Sequence, residues 1–167
     1  MRARSHTVEL ITTRKIELFL LVMKELADDF GDRFLLSMLH WCGIGGRSNP
    51  LEFWEVYLLR ANHETLGVCG LYKQAETPAS QFWLGWFGIR PAFRRRGYGT
   101  AAIRALVDRA RTKDCKELWV YTGASDEVAR LFYTKLGFEL LGSARDYAPG
   151  QTMDDSDIVL RLQSGPL

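Results

Sequence analysis

Between Phe93 and Ala101 the chain reads FRRRGYGTA. Three guanidinium groups, on Arg94, Arg95 and Arg96, run into Gly97 and Gly99, with Thr100 directly after them. Arginines attract anions, while glycines permit turn geometry closed to other residues and let an anion approach the main chain. Ile103, Leu106, Val107 and Ala110 follow at helical spacing, so the glycines stand at a helix start. Unpaired N–H groups and the positive end of the helix dipole suit a phosphate there, and successive N–H groups in such a turn can form an anion nest. Gly-x-Gly alone fits a plain surface loop as well as a phosphate cradle. GYGTAA also fits the dinucleotide fingerprint G-x-G-x-x-A, but poorly: PAFRRR separates the glycines from the preceding strand, and no acidic residue clearly ends the next one.

Tyr133 stands in ARLFYTKLGF, on a predicted helix. Val128, Leu131, Phe132 and Leu136 predict the apolar stripe of its helix, with Tyr133 at the edge and its polar tip toward a cleft. The competing reading is core packing. Asp126 and Glu127 fall in the first turn of that helix, where the dipole favours carboxylates. QFWLGWFGIR (Gln81–Arg90) is rich in aromatic residues. Strict alternation would put Trp83 and Phe87 on one face and Trp86 on the other. They are core on both faces, or a wall for a partly apolar or cationic ligand.

The elements that must position these groups follow from periodicity and punctuation. Val8–Thr12 reads as a short strand. Ile16, Phe19, Leu20, Met23, Ala27 and Phe30 predict an amphipathic helix, with Thr13 as N-cap and Gly31 as stop. Gly31–Cys42 predicts a second helix, and Gly43–Pro50 a loop. Phe53–Arg60 and Leu66–Lys73 predict an antiparallel hairpin. Gln81–Arg90 is a strand whose two glycines point to a bulge or a close backbone approach. After the glycine turn and its helix come a strand at Glu117–Thr122, a helix at Ser125–Leu136, and closing strands at Phe138–Leu141 and Ile158–Leu162. Hairpins first and a strand–helix–strand unit later make an α/β (α+β) domain. It would have a mixed, mostly antiparallel sheet of six or seven strands flanked by about four helices.

Composition sets the frame. The 167 residues suit one domain, 1–167; they are 47% hydrophobic and 25% charged, with a net charge of +2. That balance argues against a disordered chain and implies no nucleic-acid surface. Were Arg94–Arg96 a nucleic-acid contact, binding would show a steep salt dependence. Three scattered cysteines, Cys42, Cys69 and Cys115, argue against a disulfide framework or a zinc site and favour a reducing compartment. The greasiest run, IELFLLVM (Ile16–Met23), contains Glu17 and is too short to span a bilayer. The reading is a soluble, cytoplasmic protein with no metal, nucleic-acid or membrane partner; a homodimer is left open.

Two blocks then carry a resemblance. R-x-x-G-x-G at Arg94, Gly97 and Gly99, preceded by Ile89–Pro91, resembles the acetyl-CoA-binding motif of the GNAT superfamily of N-acyltransferases. Ala129, Tyr133 and Leu136–Phe138 are similar to that superfamily's A-x-x-x-Y-x-x-x-G-F block, with one helix and one strand between the blocks. The resemblance covers about Gln81–Gly142. It implies a sheet whose central strands splay to admit pantetheine, and transfer of acetyl from acetyl-CoA to a small-molecule or peptide amine in a ternary complex. The backbone of Phe87 and Ile89 would pair with the cofactor arm, and the Phe87 N–H would polarise the thioester carbonyl. The pyrophosphate would sit on the N–H groups of Arg95, Gly97, Gly99 and Thr100, with the side chains of Arg94 and Arg96 as supporting charges. Tyr133 would protonate the departing thiolate. Two departures stand out. Asp126 replaces a frequent asparagine and cannot donate when ionised. Trp83 stands where many members carry a glutamate base, and Gln81–Arg90 holds neither carboxylate nor histidine. Glu76 and Asp146 are the carboxylates that remain, His63 and Glu64 read as solvated, and a water chain ending on backbone carbonyls is another route. A catalytically inactive acyl-CoA-binding module is the alternative function.

Overall fold

The structure, a computed structural model, describes residues 7–44, 51–75, 77–147 and 156–163. Glu76 and the rest of the Gly43–Pro50 loop beyond residue 44 lie outside these. The chain runs β1 (Glu9–Thr12), α1 (Ile16–Phe30), α2 (Asp32–Trp41), β2 (Leu51–Ala61), β3 (Glu64–Gln74) and β4 (Gln81–Ile89). A 3₁₀ turn (Pro91–Phe93) leads to α3 (Tyr98–Arg111), β5 (Glu117–Gly123), α4 (Glu127–Lys135), β6 (Glu139–Ser143), α5 (Ala144–Tyr147) and β7 (Asp157–Gln163). The strands form one sheet in the order β1-β2-β3-β4-β5-β7-β6. Every neighbouring pair is antiparallel except β4 and β5. The expected mixed sheet is therefore present, with seven strands and five helices among the described residues. The single turn α5 was not expected, and four residues are too few for periodicity to register.

Local chemistry explains the joints. β2 and β3 are linked by Asn62 and His63, both at positive φ, 51° and 67°. Two left-handed residues match the twist of a tight hairpin. Gly31, at φ 64°, ends α1 with its N–H on the Ala27 carbonyl at 2.7 Å and leads directly into α2. Thr13 is not the N-cap of α1. That position is Lys15, and the Thr13 hydroxyl instead accepts the Lys15 N–H at 3.2 Å, tying the turn before the helix.

Each face of the sheet has its own core. α3 lays Ile103, Leu106, Val107 and Ala110 on one face, against Leu59, Leu71, Leu84 and Leu160. α1 and α2 cover the other face near β2–β4 through Phe19, Val22, Leu26, Phe34 and Met38. The stripe of α1 is thus rotated from expectation: Val22 and Leu26 point inward, while Leu20 and Ala27 point out. This helix is apolar nearly all round, so spacing alone leaves two faces to choose from. At its far end α3 is pinned by charge. The Arg109 guanidinium grips both Glu55 carboxylate oxygens at 3.0 and 3.1 Å, and the Tyr57 hydroxyl donates to the same carboxylate. Burial would raise the Glu55 carboxyl, but the hydrogen bonds from Tyr57 and Arg109 and the charges of Arg109 and Lys113 hold it below the ordinary range. Among the described residues no helix is long and apolar enough to cross a membrane.

Candidate active site

β4 and β5 pair only over Gln81–Trp83 and Glu117–Trp119. Beyond Trp83 and Trp119 the two strands part. A cleft of about 1660 Å³ opens between them, lined on β4 by Gly85, Phe87 and Ile89 and on β5 by Val120 and Tyr121. The splay has a local cause. Between Val68↔Gly88 and Gly70↔Gly85 the β3–β4 register slips by one residue, and Trp86 adopts φ 50°. A bulge of this kind bends its strand and re-aims its side chains.

That bulge overturns the expected alternation. Trp83 and Phe87 do not share a face. Phe87 packs with the α3 side, beside Leu84, whereas Trp83 and Trp86 lie on the α1–α2 side of the sheet. Trp86 packs against the rings of Phe30 and Phe34 at 5.6 and 5.5 Å, while Trp83 is fully buried beside Tyr72 and Trp119.

The chain then enters the glycine turn. Arg90 ties the strand end back: its N–H reaches the Leu66 carbonyl at 2.8 Å, and its guanidinium donates to the Thr65 carbonyl at 2.6 Å and to Glu25 at 2.5 Å. Arg94 donates Nε–H to the Ile89 carbonyl at 2.7 Å and pairs with Asp29 at 2.5 Å. Its side chain thus braces the turn against β4 and α1. Arg95 at φ 61° and Gly97 at φ 85° curl the main chain into the first turn of α3, which carries no acidic residue. The N–H groups of a first helical turn have no carbonyl behind them in the helix. Arg94, Arg95, Gly97, Gly99 and Thr100 line the cleft; Arg96 is not among its lining residues. Gly99 also serves packing. A Cβ there would come within 3.3 Å of the Phe132 ring and 3.7 Å of Phe87, two rings stacked at 5.7 Å and 11°.

Tyr133 reaches the cleft from α4, but not from the edge of an apolar stripe. It is 6% exposed and faces inward with Ala129, Phe132 and Leu136, whereas Val128 and Leu131 are 78% and 47% exposed. The helix turns its tyrosine rather than its valine to the core because the rings of Phe132 and Phe138 flank it, each 5.3 Å away. Burial pushes the Tyr133 phenol well up from its usual range, and the nearby charge of Asp126 pushes the same way. The hydroxyl stays protonated and can donate. Asp126 caps α4, its Oδ1 accepting the Ala129 N–H at 2.9 Å, and it too lines the cleft.

On the α1–α2 side the lining includes Asp28, Arg33, His40, Trp54, Tyr72 and Tyr121. None of these was singled out from the sequence. They come from five elements, carry no shared motif, and meet only because β4 leaves β5. Of the carboxylates and histidine that were singled out, Asp146 sits on α5, and His63 and Glu64 lie at the exposed hairpin turn, all three outside the cleft lining.

Comparison with known proteins agrees with this geometry. The family model described as the acetyltransferase (GNAT) family matches residues 17–138. An uncharacterised N-acetyltransferase of Bacillus subtilis is 28% identical over 96 residues, 58% of this chain and 60% of the relative. The ribosomal protein bS18-alanine N-acetyltransferase of Salmonella typhimurium is 31% identical over 74 residues, 44% of this chain and 50% of the relative. The chain thus spans 60% and 50% of the length of these two relatives. Among solved structures, a GNAT family acetyltransferase from Elizabethkingia anophelis with acetyl-CoA bound superposes with a TM-score of 0.64 at 19% identity. That alignment covers 96% of this chain and 99% of the other.

Proposed function

Because the chain belongs to the GNAT family of acetyltransferases, we propose that it transfers acetyl from acetyl-CoA to a primary amine by direct attack in a ternary complex. The observation that carries the proposal is the parting of β4 and β5 after Trp83 and Trp119. Through it Phe87, Tyr133 and the start of α3 line one cleft. The residues fit the co-substrate: a left-handed turn at Arg95 and Gly97 presents N–H groups at a helix start without a carboxylate in its first turn.

Acetyl-CoA supplies an activated acetyl group, and the protein does the rest. The main chain of Arg95, Gly97, Gly99 and Thr100 holds the pyrophosphate, Arg94 braces that turn, and Arg96 adds charge from outside the cleft. The backbone of Phe87 and Ile89 orients the pantetheine arm, and the Phe87 N–H stabilises negative charge developing on the acetyl oxygen. The amine nitrogen bonds to the acetyl carbon, the carbon–sulfur bond breaks, and one proton moves in net from nitrogen to sulfur. Tyr133 donates its hydroxyl proton toward that sulfur. Its raised pKa makes full transfer harder than from an ordinary phenol, so its main contribution is a hydrogen bond to a thiolate in formation. The acceptor is an amine of a small molecule or a peptide N-terminus; the resemblance to a ribosomal-protein N-acetyltransferase makes a peptide the first to try.

The test has two stages. Acetyl-CoA at ~100 times its dissociation constant should stabilise the protein by roughly 2.7 kcal/mol. Thiol release is then followed with 2-phenylethylamine, spermidine, glycine amide and an alanine-terminated hexapeptide. Stabilisation plus amine-dependent release supports the proposal. No stabilisation refutes it, and stabilisation without turnover on any amine points to an acyl-CoA-binding module instead.

A further inference from the structure

β4 carries no carboxylate or histidine, yet an attacking ammonium must lose protons somewhere. Trp83, the last β4 residue paired with β5, is buried in register with Tyr72 on β3 and Trp119 on β5. Residues in register across a sheet share a face. Tyr121, two residues beyond Trp119, returns to that face just where β5 has left β4. The Tyr72 ring stacks on Trp83 at 6.2 Å and 17°, and the Tyr121 ring meets Trp83 edge-on at 6.3 Å. Trp83 is thus a floor that holds two phenols, one from each side of the opening.

Gly85 lets Tyr72 lean over β4. A Cβ at Gly85 would lie 3.0 Å from the Tyr72 ring, so a side chain there would push the ring away by a few tenths of an ångström. Tyr72 and Tyr121 both line the cleft, as do Phe87 and Tyr133. Each phenol bears on the other electrostatically. Tyr121 is 38% exposed, so the pair runs from a sheltered hydroxyl to one open to water. Asp157 of β7 and Arg33 of α2 bear on Tyr121 with opposite charges, and both line the cleft. The Trp83 indole N–H beneath them is buried and has no hydrogen-bond partner among the described residues.

We propose that Tyr72 and Tyr121 form a two-hydroxyl relay that carries the proton of the attacking amine toward Asp157 and solvent, in place of a carboxylate on β4. The proposal rests on the acetyltransferase reading above. As the nitrogen–carbon bond forms, the amine proton passes to the Tyr72 oxygen. The Tyr72 proton passes to the Tyr121 oxygen, and the Tyr121 proton leaves to water or to the Asp157 carboxylate. Each phenol gains one proton and loses one, so neither changes charge. Burial raises the pKa of both, which disfavours a tyrosinate base and leaves concerted transfer as their available chemistry.

The test uses the full chain, acetyl-CoA and whichever amine of the four-member panel gives the fastest thiol release. Tyr72→Phe and Tyr121→Phe keep the rings that stack on Trp83, and their melting temperatures verify the fold. Each should lower kcat on the order of 100-fold, leave the acetyl-CoA dissociation constant unchanged, and change KM for the amine far less than kcat. The double variant should be about as slow as either single one, because a relay fails as a unit. In mixtures of light and heavy water the wild type should give a curved rate dependence, and either variant a straight one. Single variants at wild-type kcat, or single losses that multiply in the double variant, overturn the relay while leaving the acetyltransferase reading intact. A wild type that releases no thiol with any of these amines overturns both.

Discussion

Gly67→Ala should be among the most damaging small substitutions in the protein, and its cost can be worked from the backbone. Gly67 pairs with Ile89 at the end of β3–β4, beside the bulge. A Cβ at residue 67 would lie 2.0 Å from the Gly88 carbonyl oxygen and 3.1 Å from the Ile89 Cα. Both are main-chain atoms, so no rotamer change relieves the clash and the strands must separate by about an ångström. Overpacking against movable side chains costs about 1–3 kcal/mol, and a rigid partner puts this case at the upper end or beyond. At roughly 3 kcal/mol and about 2–4 °C per kcal/mol for a chain of this size, the melting temperature should fall by about 6–12 °C. Acetyl-CoA affinity should fall as well, since the shifted segment carries Phe87 and leads to the Arg90 and Arg94 tethers. Thermal unfolding followed by circular dichroism reads the first effect and calorimetric titration the second. Gly123→Ala is the control, because its nearest contact would be the Ser125 hydroxyl at 4.0 Å. A Gly67→Ala protein melting within 1 °C of wild type would refute the reasoning.

Other substitutions separate neighbouring roles. Arg94→Ala, which frees the Ile89 carbonyl and Asp29, should weaken acetyl-CoA binding by about tenfold or more, while Arg96→Ala should change it less than threefold; equal effects in titration would contradict the bracing role. The Glu55 carboxyl is depressed in the folded state, so its contribution is present above the unfolded pKa near ~4.3 and is lost as pH falls through the lower folded value. Glu55→Gln should therefore lower stability at pH 7 and flatten its dependence on pH between about 5 and 3; parallel denaturation curves for the two proteins would exclude this.

The left-handed turn before α3 and the helix that carries Tyr133 were legible in the sequence because each is local. Glycine, arginine and a helical pattern stand within a few residues of one another, and a backbone cradle needs nothing from farther away. The α3 face was legible for the same reason: Ile103, Leu106, Val107 and Ala110 leave only one apolar side. The sides of α1 and α4 were not, since Leu20 and Val128 are as apolar as the residues that turn inward. On β4 the glycines pointed to a bulge, but the residue that absorbs it is Trp86, and one slipped residue reversed the faces assigned to Trp83 and Phe87. Tyr72 and Tyr121 could not be found from spacing. They lie on different strands, and only the loss of β4–β5 pairing brings them to one cleft.

The central claim is that the parting of β4 and β5 builds a transfer site in which the Tyr133 hydroxyl assists departure of the thiolate. Tyr133→Phe keeps the ring between Phe132 and Phe138 and removes only the donor. The direct measurement is steady-state thiol release beside acetyl-CoA titration for this variant and the wild type. In the variant kcat should fall on the order of 100-fold, with the acetyl-CoA dissociation constant within about twofold of the wild type. Wild-type turnover in the variant, or a loss of acetyl-CoA affinity that matches the loss of rate, would contradict it.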